Sequence, residues 1–253
     1  MAKIISISIF KGGVGKSTTA VSLSSALAQK GKKVLLVDLD QQASATRYLG
    51  LEPDHIMPNL YHVFLRQTPA AMAIQNLKWG FDLLPSSDLL AAIEEAMEAG
   101  QDEGLLKEFL TPLLVNYDYI ILDSPPGKQL LSFNALYAGD WIIAPASAER
   151  MAIGGLTDLL NYVTDVLWSK YDHLTAQEIR VLFTMYKGGT IHSPGIVQNA
   201  RKIWRDNVLP ILIPESIEFP RSYDKKMPIT EHNPHHKGSL AYMRLADWVI
   251  ENV

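Results

Sequence analysis

The residues with the clearest chemical potential lie near the N-terminus, where residues 10–18 read FKGGVGKST. The apolar run Lys3–Phe10 predicts a buried strand before this segment, and Ser17–Lys30 predicts a helix after it, closed by Gly31. A glycine-rich loop between a strand and a helix lets backbone amides approach phosphate groups without a Cβ in the way, and the helix N-terminus adds positive potential. The sequence therefore predicts a phosphate-binding loop, built on Gly12, Gly13, Val14 and Gly15.

The side chains around these glycines have the types that bind a nucleoside triphosphate with Mg²⁺. Lys16 is expected to contact the β- and γ-phosphates, Ser17 to place its hydroxyl on Mg²⁺, and Thr18 to support the α-phosphate. The loop departs from the general pattern because Phe10 stands where that pattern has glycine, and Lys11 adds a second lysine.

Short apolar runs alternate with helical patterns along the whole chain, which is typical of a parallel sheet covered on both faces. We predict a single doubly wound α/β domain over residues 1–253, without a preceding helix-turn-helix domain. Further strands are predicted at Lys33–Asp38, Phe81–Pro85, Tyr117–Asp123, Trp141–Pro145, Ile179–Thr184 and Leu209–Pro214. Further helices are predicted at Asp88–Ala99, Leu105–Asn116, Gly155–Tyr171, Pro194–Asp206 and Ser239–Glu251.

Three acidic residues stand at the ends of predicted strands, where ligands bind in open α/β sheets. Asp38 and Asp40 end the second strand, and Asp123 ends the run YDYIILD. Any one of them could simply end a strand or cap a helix, but together with a phosphate loop they favour a catalytic or metal-binding role for Asp40 and Asp123, whereas Asp38 is expected to support the loop.

Several segments together resemble the ParA/MinD ATPases, and partition ATPases of the ParA/Soj type in particular. The loop Lys11–Ser17 resembles the deviant Walker A motif of that family. The resemblance continues in VDLDQQASAT, ILDSPPGKQLLSFNAL, PASAERMAIGGLTDLL and LFTMYKGG, and in the stretch Ile213–Tyr242. Gln41 stands where the family usually has Pro, and Ala43-Ser44 replace Gly-Asn, so the shape of this first switch is open.

The resemblance implies ATP and Mg²⁺ as ligands and slow ATP hydrolysis in a sandwich dimer. Lys11 would cross the dimer to the partner's phosphates, and the catalytic set would be Lys11, Lys16 and Asp40. Asp40 would position the attacking water and lie near the metal, which Ser17 and Asp123 would hold. Residues 125–127 would form a switch that senses the γ-phosphate. Thr184, Met185 and Pro214 would bracket the adenine.

The charge distribution indicates that a polyanion would bind to the C-terminal third of the chain. The chain carries a net charge of −4, yet residues 180–253 hold ten Lys/Arg against seven Asp/Glu. The resemblance implies ATP-dependent, sequence-independent DNA binding here, although ordinary solvated charge would give a similar pattern. The candidates are Lys187, Arg201, Lys202, Arg205 and Arg221, with Lys225, Lys226 and Lys237. Arg201, Lys202 and Arg205 fall at helical spacing and are expected to share a face.

Other function classes fit less well. The C-terminal segment has Arg244 against Asp247 and Glu251, so a core-packing helix is expected rather than a basic membrane-surface helix of the MinD type. The absence of cysteine excludes thiolate-ligated clusters and fits a cytoplasmic protein. Metal binding by His232, His235 and His236 is disfavoured.

A phosphate-loop kinase or amide ligase for a small molecule stays as an alternative, since it would need no Lys11. On the preferred interpretation the chain is a prokaryotic, cytoplasmic protein that associates with the nucleoid when ATP is bound. Its partners would be a second copy, DNA and a ParB-like or other adaptor that accelerates hydrolysis. The cargo is not determined by the sequence.

Overall fold

The computed structural model describes residues 1–96, 102–148, 152–171, 178–190 and 192–253. In this part of the chain the strands form one eight-stranded sheet in the order β3-β4-β2-β5-β1-β6-β7-β8, in which β3 is antiparallel to β4 and the other pairs are parallel. The strands are β1 (Lys3–Ile7), β2 (Val34–Asp38), β3 (Gln75–Asn76), β4 (Asp82–Leu84), β5 (Tyr119–Asp123), β6 (Trp141–Ser147), β7 (Glu178–Tyr186) and β8 (Val208–Pro214). The predicted mostly parallel α/β fold is confirmed.

Helices cover both faces of the sheet because successive strand residues point to opposite sides and both sides are apolar. Ile5 and Ile121 pack into one core, while their neighbours Ile4 and Ile120 pack into another. The helices are α1 (Lys16–Gln29), α2 (Ser44–Tyr48), α3 (Leu60–Phe64), α4 (Ala70–Ala73), α5 (Leu90–Ala96), α6 (Leu105–Leu110), α7 (Leu130–Ala138), α8 (Ala152–Asn161), α9 (His192–Trp204), α10 (Glu218–Asp224), α11 (Ile229–His232) and α12 (Lys237–Asn252).

The strand ends differ from the predictions where the chain turns into the site. β1 ends at Ile7 instead of Phe10, because residues 8–10 leave the sheet and the carbonyl of Phe10 accepts a hydrogen bond from the Gly127 amide at 2.9 Å. β6 and β7 run two residues beyond their predicted ends, to Ser147 and Tyr186; the added residues of β6 pair with β7, and Tyr186 pairs with Pro214 of β8.

Helix ends also differ, for local reasons. The predicted helix Leu105–Asn116 ends at Leu110, because Pro112 has no amide hydrogen to donate, and a 3₁₀ turn over Thr111–Leu113 follows. The predicted helix Gly155–Tyr171 starts earlier, at Ala152, and continues beyond α8 as a π-helical segment, Tyr162–Trp168.

Two further helix predictions need correction. The helix predicted at Asp88–Ala99 is α5, which begins two residues later, at Leu90. It is described as far as Ala96, and residues 97–99 lie outside the described part of the chain. The helix predicted at Pro194–Asp206 is α9, which ends at Trp204 because Arg205 has a φ of +46° and starts a 3₁₀ turn toward β8.

The C-terminal helix α12 packs against α1 and β8 as part of the core. Its buried residues recur at helical spacing and include Ala241, Tyr242, Leu245 and Val249. The apolar face of this helix is therefore covered by α1 and β8, in line with the sparse basic charge of this segment. Among the residues described, no helix has the length and apolar character needed to cross a membrane.

Candidate functional site

The glycine-rich loop connects the central strand β1 to the N-terminus of α1. Gly13 and Gly15 have φ values of +72° and +88°, a region that L side chains rarely adopt, so these two positions depend on glycine. With 14 residues in α1 behind it, the loop lies at a helix end whose free amides attract anions. The predicted phosphate loop therefore has the required strand–loop–helix geometry.

Lys16 lies buried at the base of this loop. Its Nζ donates a hydrogen bond to the carbonyl oxygen of Lys11 at 3.2 Å. Burial lowers the pKa of Lys16, while the nearby carboxylates of Asp123 and Asp40 raise it in part. The ammonium group thus sits in a poorly solvated place beside two acids, where a phosphate would be a strong counterion.

Asp38 and Asp123 occupy paired positions at the ends of neighbouring strands β2 and β5. Both carboxyl groups are fully buried. Within the described residues neither carboxylate oxygen of Asp123 has a partner at hydrogen-bonding geometry, although the Ser17 hydroxyl lies close enough to influence its charge. Burial raises the pKa of Asp123 well above its usual value, Asp38 raises it further, and the Ser17 hydroxyl lowers it.

Asp38 is, by contrast, fully engaged with the protein. Its Oδ2 accepts hydrogen bonds from the amide and hydroxyl of Thr46 at 2.8 and 2.7 Å, and its Oδ1 accepts one from the amide of Asp40 at 3.2 Å. Burial raises the pKa of Asp38 to about 7, against the lowering effect of these bonds. This carboxylate holds the loop after β2 in place.

Asp40 faces the phosphate loop from that same segment. Its Oδ1 accepts a hydrogen bond from the Gln42 amide at 2.9 Å, and its carbonyl oxygen accepts one from the Ser86 hydroxyl at 2.6 Å. Burial raises the pKa of Asp40, and Lys16 lowers it. Its carboxylate lines the same cavity as Lys16, so the structure brings the two residues together.

Two adjoining cavities extend from the loop. The first, of about 360 Å³, is lined by Gly12, Gly13, Gly15, Lys16, Ser17, Thr18, Asp40, Ser44, Tyr48, Pro126, Met185 and Tyr223. The second, of about 540 Å³, is lined by Gly15, Thr18, Thr184, Met185, Ile213, Pro214, Glu215, Ser216, Ile217, Phe219, Pro220 and Tyr242. The first cavity contains the charged side chains of Lys16 and Asp40, the second is more apolar, and the two share Gly15, Thr18 and Met185, an arrangement that suits a triphosphate and a base.

The residues predicted to bracket the base lie in the second cavity. Met185 has a φ of +52° at an irregularity of β7, instead of following the strand as expected, and Pro214 ends β8. Thr184 is buried and donates a hydrogen bond from its hydroxyl to the carbonyl of Val14 at 2.9 Å, which ties β7 to the phosphate loop.

Sequence reasoning missed several residues around the two cavities. Tyr242 and Phe219 form an apolar wall and come from segments more than 200 residues away from the loop in sequence. The Tyr242 hydroxyl lies 3.0 Å from that of Thr19 in α1, which joins the wall to the loop helix. No local pattern marks the role of Tyr242 and Phe219, although both lie within the stretch Ile213–Tyr242 that the family resemblance already singled out.

Comparison with known proteins supports an ATP-binding role for this loop. A family model described as an AAA domain matches residues 2–176. The sporulation initiation inhibitor protein Soj of Bacillus subtilis is 36% identical over the full length of both chains. The chain belongs to the ParA/Soj family of P-loop ATPases. Among solved structures, the Cyanothece McdA(D38A)–ATP complex matches with a TM-score of 0.87 and 26% identity, covering 98% of this chain and 96% of that one.

A second solved structure bears on the alternative of a ligase. Cobyrinic acid a,c-diamide synthase from Mycobacterium smegmatis, with bound ADP and magnesium, matches with a TM-score of 0.83 and 30% identity. It covers 99% of this chain and 94% of that one. The fold that this chain shares with ParA/Soj proteins thus also occurs in a protein named for small-molecule chemistry.

The basic residues that the family resemblance singled out are dispersed over several elements. Arg201 and Lys202 are exposed near the end of α9, but Arg205 lies beyond the helix, so the predicted helical face shared by all three is wrong for Arg205. Lys187 forms an ion pair with Glu215 at 3.0 Å, and Arg221 forms one with Glu218 at 2.6 Å. The remaining candidates Lys225, Lys226 and Lys237 are exposed.

Within the described residues, no group of three or more His, Asp or Glu side chains is arranged to hold a metal ion by itself. The unpartnered Asp123 carboxylate beside Ser17 nevertheless fits a Mg²⁺ ion that takes its other ligands from phosphate and water, which is the usual way this ion binds nucleotides.

Proposed function

We propose that this ParA/Soj-family ATPase binds Mg²⁺·ATP on the glycine-rich loop, closes as a homodimer around the nucleotide and holds DNA without sequence preference until hydrolysis. The observation that carries the proposal is the buried, unpartnered Asp123 carboxylate at the base of the loop. An unpaired buried carboxylate is costly, and such costs are typical of sites that await a ligand.

Each residue around the loop has a definite part in this proposal. The amides of Gly12–Thr18 and the ammonium of Lys16 bind the phosphates, and Ser17 and Asp123 hold Mg²⁺. When bound, the metal neutralises charge that develops on the transferred phosphoryl group. Asp40, whose pKa burial raises, lies in the same cavity and orients the attacking water near the metal.

Lys11 supplies a second positive charge to the reaction. Its carbonyl oxygen accepts the Lys16 hydrogen bond, and its side chain is partly exposed at the loop surface, with no ion pair among the described residues. In a dimer this cation would reach the phosphates of the second copy, where it would stabilise transition-state charge as an arginine finger does.

DNA would contact the basic residues of the C-terminal third. Arg201 and Lys202 are exposed and have no ion pair within the described residues, whereas Lys187 and Arg221 are partly neutralised by neighbouring glutamates. A single patch of this size binds weakly, and two patches in a dimer would bind much more tightly because the second contact is intramolecular. ATP-dependent dimerisation would thereby control DNA retention and association with the nucleoid.

The dimer is tested by analytical ultracentrifugation of the wild type, Lys11→Ala and Lys3→Ala with ATP and Mg²⁺. Lys3 lies at the opposite end of β1, so its variant controls for the loss of one positive charge. We expect the wild type and Lys3→Ala to sediment as dimers with ATP and as monomers with ADP, and Lys11→Ala to stay monomeric. Monomers in every case would refute the proposed dimer.

DNA binding is tested by co-sedimentation with long duplexes of unrelated sequence. The variant Arg201→Glu/Arg205→Glu is compared with Lys3→Glu/Lys33→Glu, which changes the net charge equally at the other end of the sheet. We expect the first variant alone to lose ATP-dependent retention at low salt, and retention by the wild type to fall as salt rises. Equal retention by both variants would count against this surface.

The cobyrinic acid synthase match keeps a ligase or kinase as the second candidate. Such an enzyme would turn over ATP only with its acceptor, and its turnover would be indifferent to Lys11. Phosphate release by the purified chain without any acceptor, with a sharp dependence on Lys11, supports the ParA/Soj-type function. We also propose that an adaptor protein accelerates this hydrolysis, as a stimulating partner would be needed to time release from DNA or another cargo.

A further inference from the structure

His236 belongs to a histidine cluster that the phosphate chemistry leaves unexplained, and it lies directly behind the second cavity. Its Nδ1 accepts a hydrogen bond from the Gly238 amide at 3.0 Å, and its Nε2 lies 3.1 Å from the hydroxyl of Ser216, which lines the cavity. His236 thus joins the N-terminus of α12 to the wall of the cavity.

These contacts fix the tautomer of the imidazole. An amide N–H can only donate, so Nδ1 must carry a free lone pair, and the single proton of the neutral ring must lie on Nε2. Burial lowers the pKa of His236, although the carboxylate of Glu218 raises it in part. The lowered pKa favours the neutral ring. Nε2–H therefore donates to the Ser216 oxygen.

The Ser216 hydroxyl oxygen receives a second hydrogen bond, from the Glu218 amide at 3.2 Å. A hydroxyl has two lone pairs and one proton, so these two donors occupy its acceptor capacity. Among the hydrogen bonds of the described residues, the proton of this hydroxyl has no acceptor. The direction left to it is the cavity that Ser216 lines.

The packing behind Ser216 leaves little freedom for another arrangement. A Cβ on Gly238 would lie 2.7 Å from Cζ of Phe219, a distance that real Cβ atoms essentially never show, and 3.0 Å from Nδ1 of His236, which is tighter than most real Cβ contacts. The Phe219 ring also packs edge-on against Tyr242, and both aromatic rings line the cavity. His236 is thus held between a glycine and an aromatic wall.

We propose that Ser216 is a specificity-determining residue of the nucleotide site: His236 and the Glu218 amide orient its hydroxyl so that it donates a hydrogen bond to an acceptor atom of the bound nucleoside. His236 acts as a positioning residue behind it. The proposal rests on the proposed function, because it assumes that the nucleoside occupies the second cavity. The acceptor is a ring nitrogen of the base or an oxygen of the ribose.

The first experiment measures the Kd of wild type and Ser216→Ala for ATP, with Mg²⁺, by competition with a fluorescent nucleotide. The same measurement is made with 1-deaza-, 3-deaza- and 7-deaza-ATP and with 2′-deoxy- and 3′-deoxy-ATP, each of which lacks one acceptor. We expect the wild type to bind one analogue about three- to tenfold more weakly than ATP, the usual effect of one hydrogen bond. Ser216→Ala should bind ATP more weakly by a similar factor and no longer distinguish that analogue.

The second experiment tests the positioning role through His236→Asn. Asparagine is a favourable N-cap and keeps an acceptor for the Gly238 amide, but it is too short to reach Ser216. We expect this variant to weaken ATP binding toward the level of Ser216→Ala, and the double variant to be no weaker than Ser216→Ala. His235→Asn, at the exposed neighbouring position, should bind like the wild type and is the matched control.

The outcomes separate this proposal from the proposed function. If Ser216→Ala discriminates among the analogues as the wild type does, the proposal is overturned, whatever the thermal stability of His236→Asn. If Ser216→Ala loses discrimination but a stably folded His236→Asn keeps it, the positioning role is overturned. If the wild type binds no ATP, or Lys16→Ala binds it equally well, the proposed function fails, and this proposal fails with it.

Discussion

The ends of β2 and β5 carry two aspartates that are neighbours in the sheet and equally buried, yet their carboxylates differ in their hydrogen bonds. The carboxylate of Asp38 accepts three hydrogen bonds from the segment that follows it, and the carboxylate of Asp123 accepts none at normal geometry from the described residues. Burial raises the pKa of both. A buried carboxylate with a full set of donors organises structure, whereas one without donors is available to a ligand.

The largest effect is expected from removing the charge of the unpartnered carboxylate. Asp123→Asn should lower steady-state ATP hydrolysis on the order of 100-fold or more, because an amide is a poor ligand for Mg²⁺ and does not balance its charge. Phosphate release at saturating Mg²⁺·ATP measures this. Asp118→Asn, at the other end of the same strand, is the matched control, and similar rates for both variants would remove Asp123 from the metal site.

The same substitution at Asp38 should affect the stability of the fold through the lost hydrogen bonds. At pH 8, Asp38→Asn should have a free energy of unfolding about 1–3 kcal/mol lower than that of Asp123→Asn, because both variants remove a buried charge but only the Asp38 amide replaces an acceptor of the Thr46 donors. Urea denaturation without nucleotide gives this value. Equal stability of the two variants would mean that the three hydrogen bonds to Asp38 contribute nothing to the fold, and the comparison with Asp123 would lose its basis.

Asp123→Asn should instead raise the stability of the nucleotide-free protein, by about 1–2 kcal/mol at pH 8, because a neutral group costs less to bury.

The gain in stability of Asp123→Asn should depend on pH. Since the folded-state pKa of Asp123 is raised, its carboxyl is neutral in both states below about pH 4, and no cost arises there. As pH rises toward the folded pKa, the free energy of unfolding of the wild type falls by up to about 1.4 kcal/mol per pH unit. Urea titrations from pH 4 to 8 should show the variant's advantage growing; a constant or shrinking advantage would contradict it.

The smallest effect is expected at the partner of Asp38. Thr46→Val removes one hydroxyl donor to Asp38 and the acceptor for the Ser86 amide, and it should cost about 1 kcal/mol of stability. Thr46→Ser keeps the hydroxyl and should lose less. Both variants should hydrolyse ATP within a few-fold of the wild type, and a large loss of activity would show that the Asp38 network takes part in catalysis.

Part of this site could be predicted from local sequence. The glycine spacing, Lys16 and the strand before them identify the phosphate loop because each of these features is fixed by neighbours in the chain. The roles of Lys11, Asp40 and Asp123 came from family resemblance, and they stay predictions until the variants are measured. Helix ends such as Trp204 were misplaced because periodicity continues into Arg205, whose backbone leaves the helical region.

The sequence by itself determined the mostly parallel sheet, seven of the eight strands in the described part of the chain and their order, and the loop at the end of β1, since apolar runs and glycine spacing encode these directly. The short antiparallel strand β3 and helix α7 were not predicted. Only the tertiary structure decided that Asp38 is partnered and Asp123 is not, and that Ser216, Phe219 and Tyr242 form the wall beside the loop. Hydrogen-bond partners and cavity walls come from residues far apart in sequence, and their contacts exist only after the strands have paired and the helices have packed.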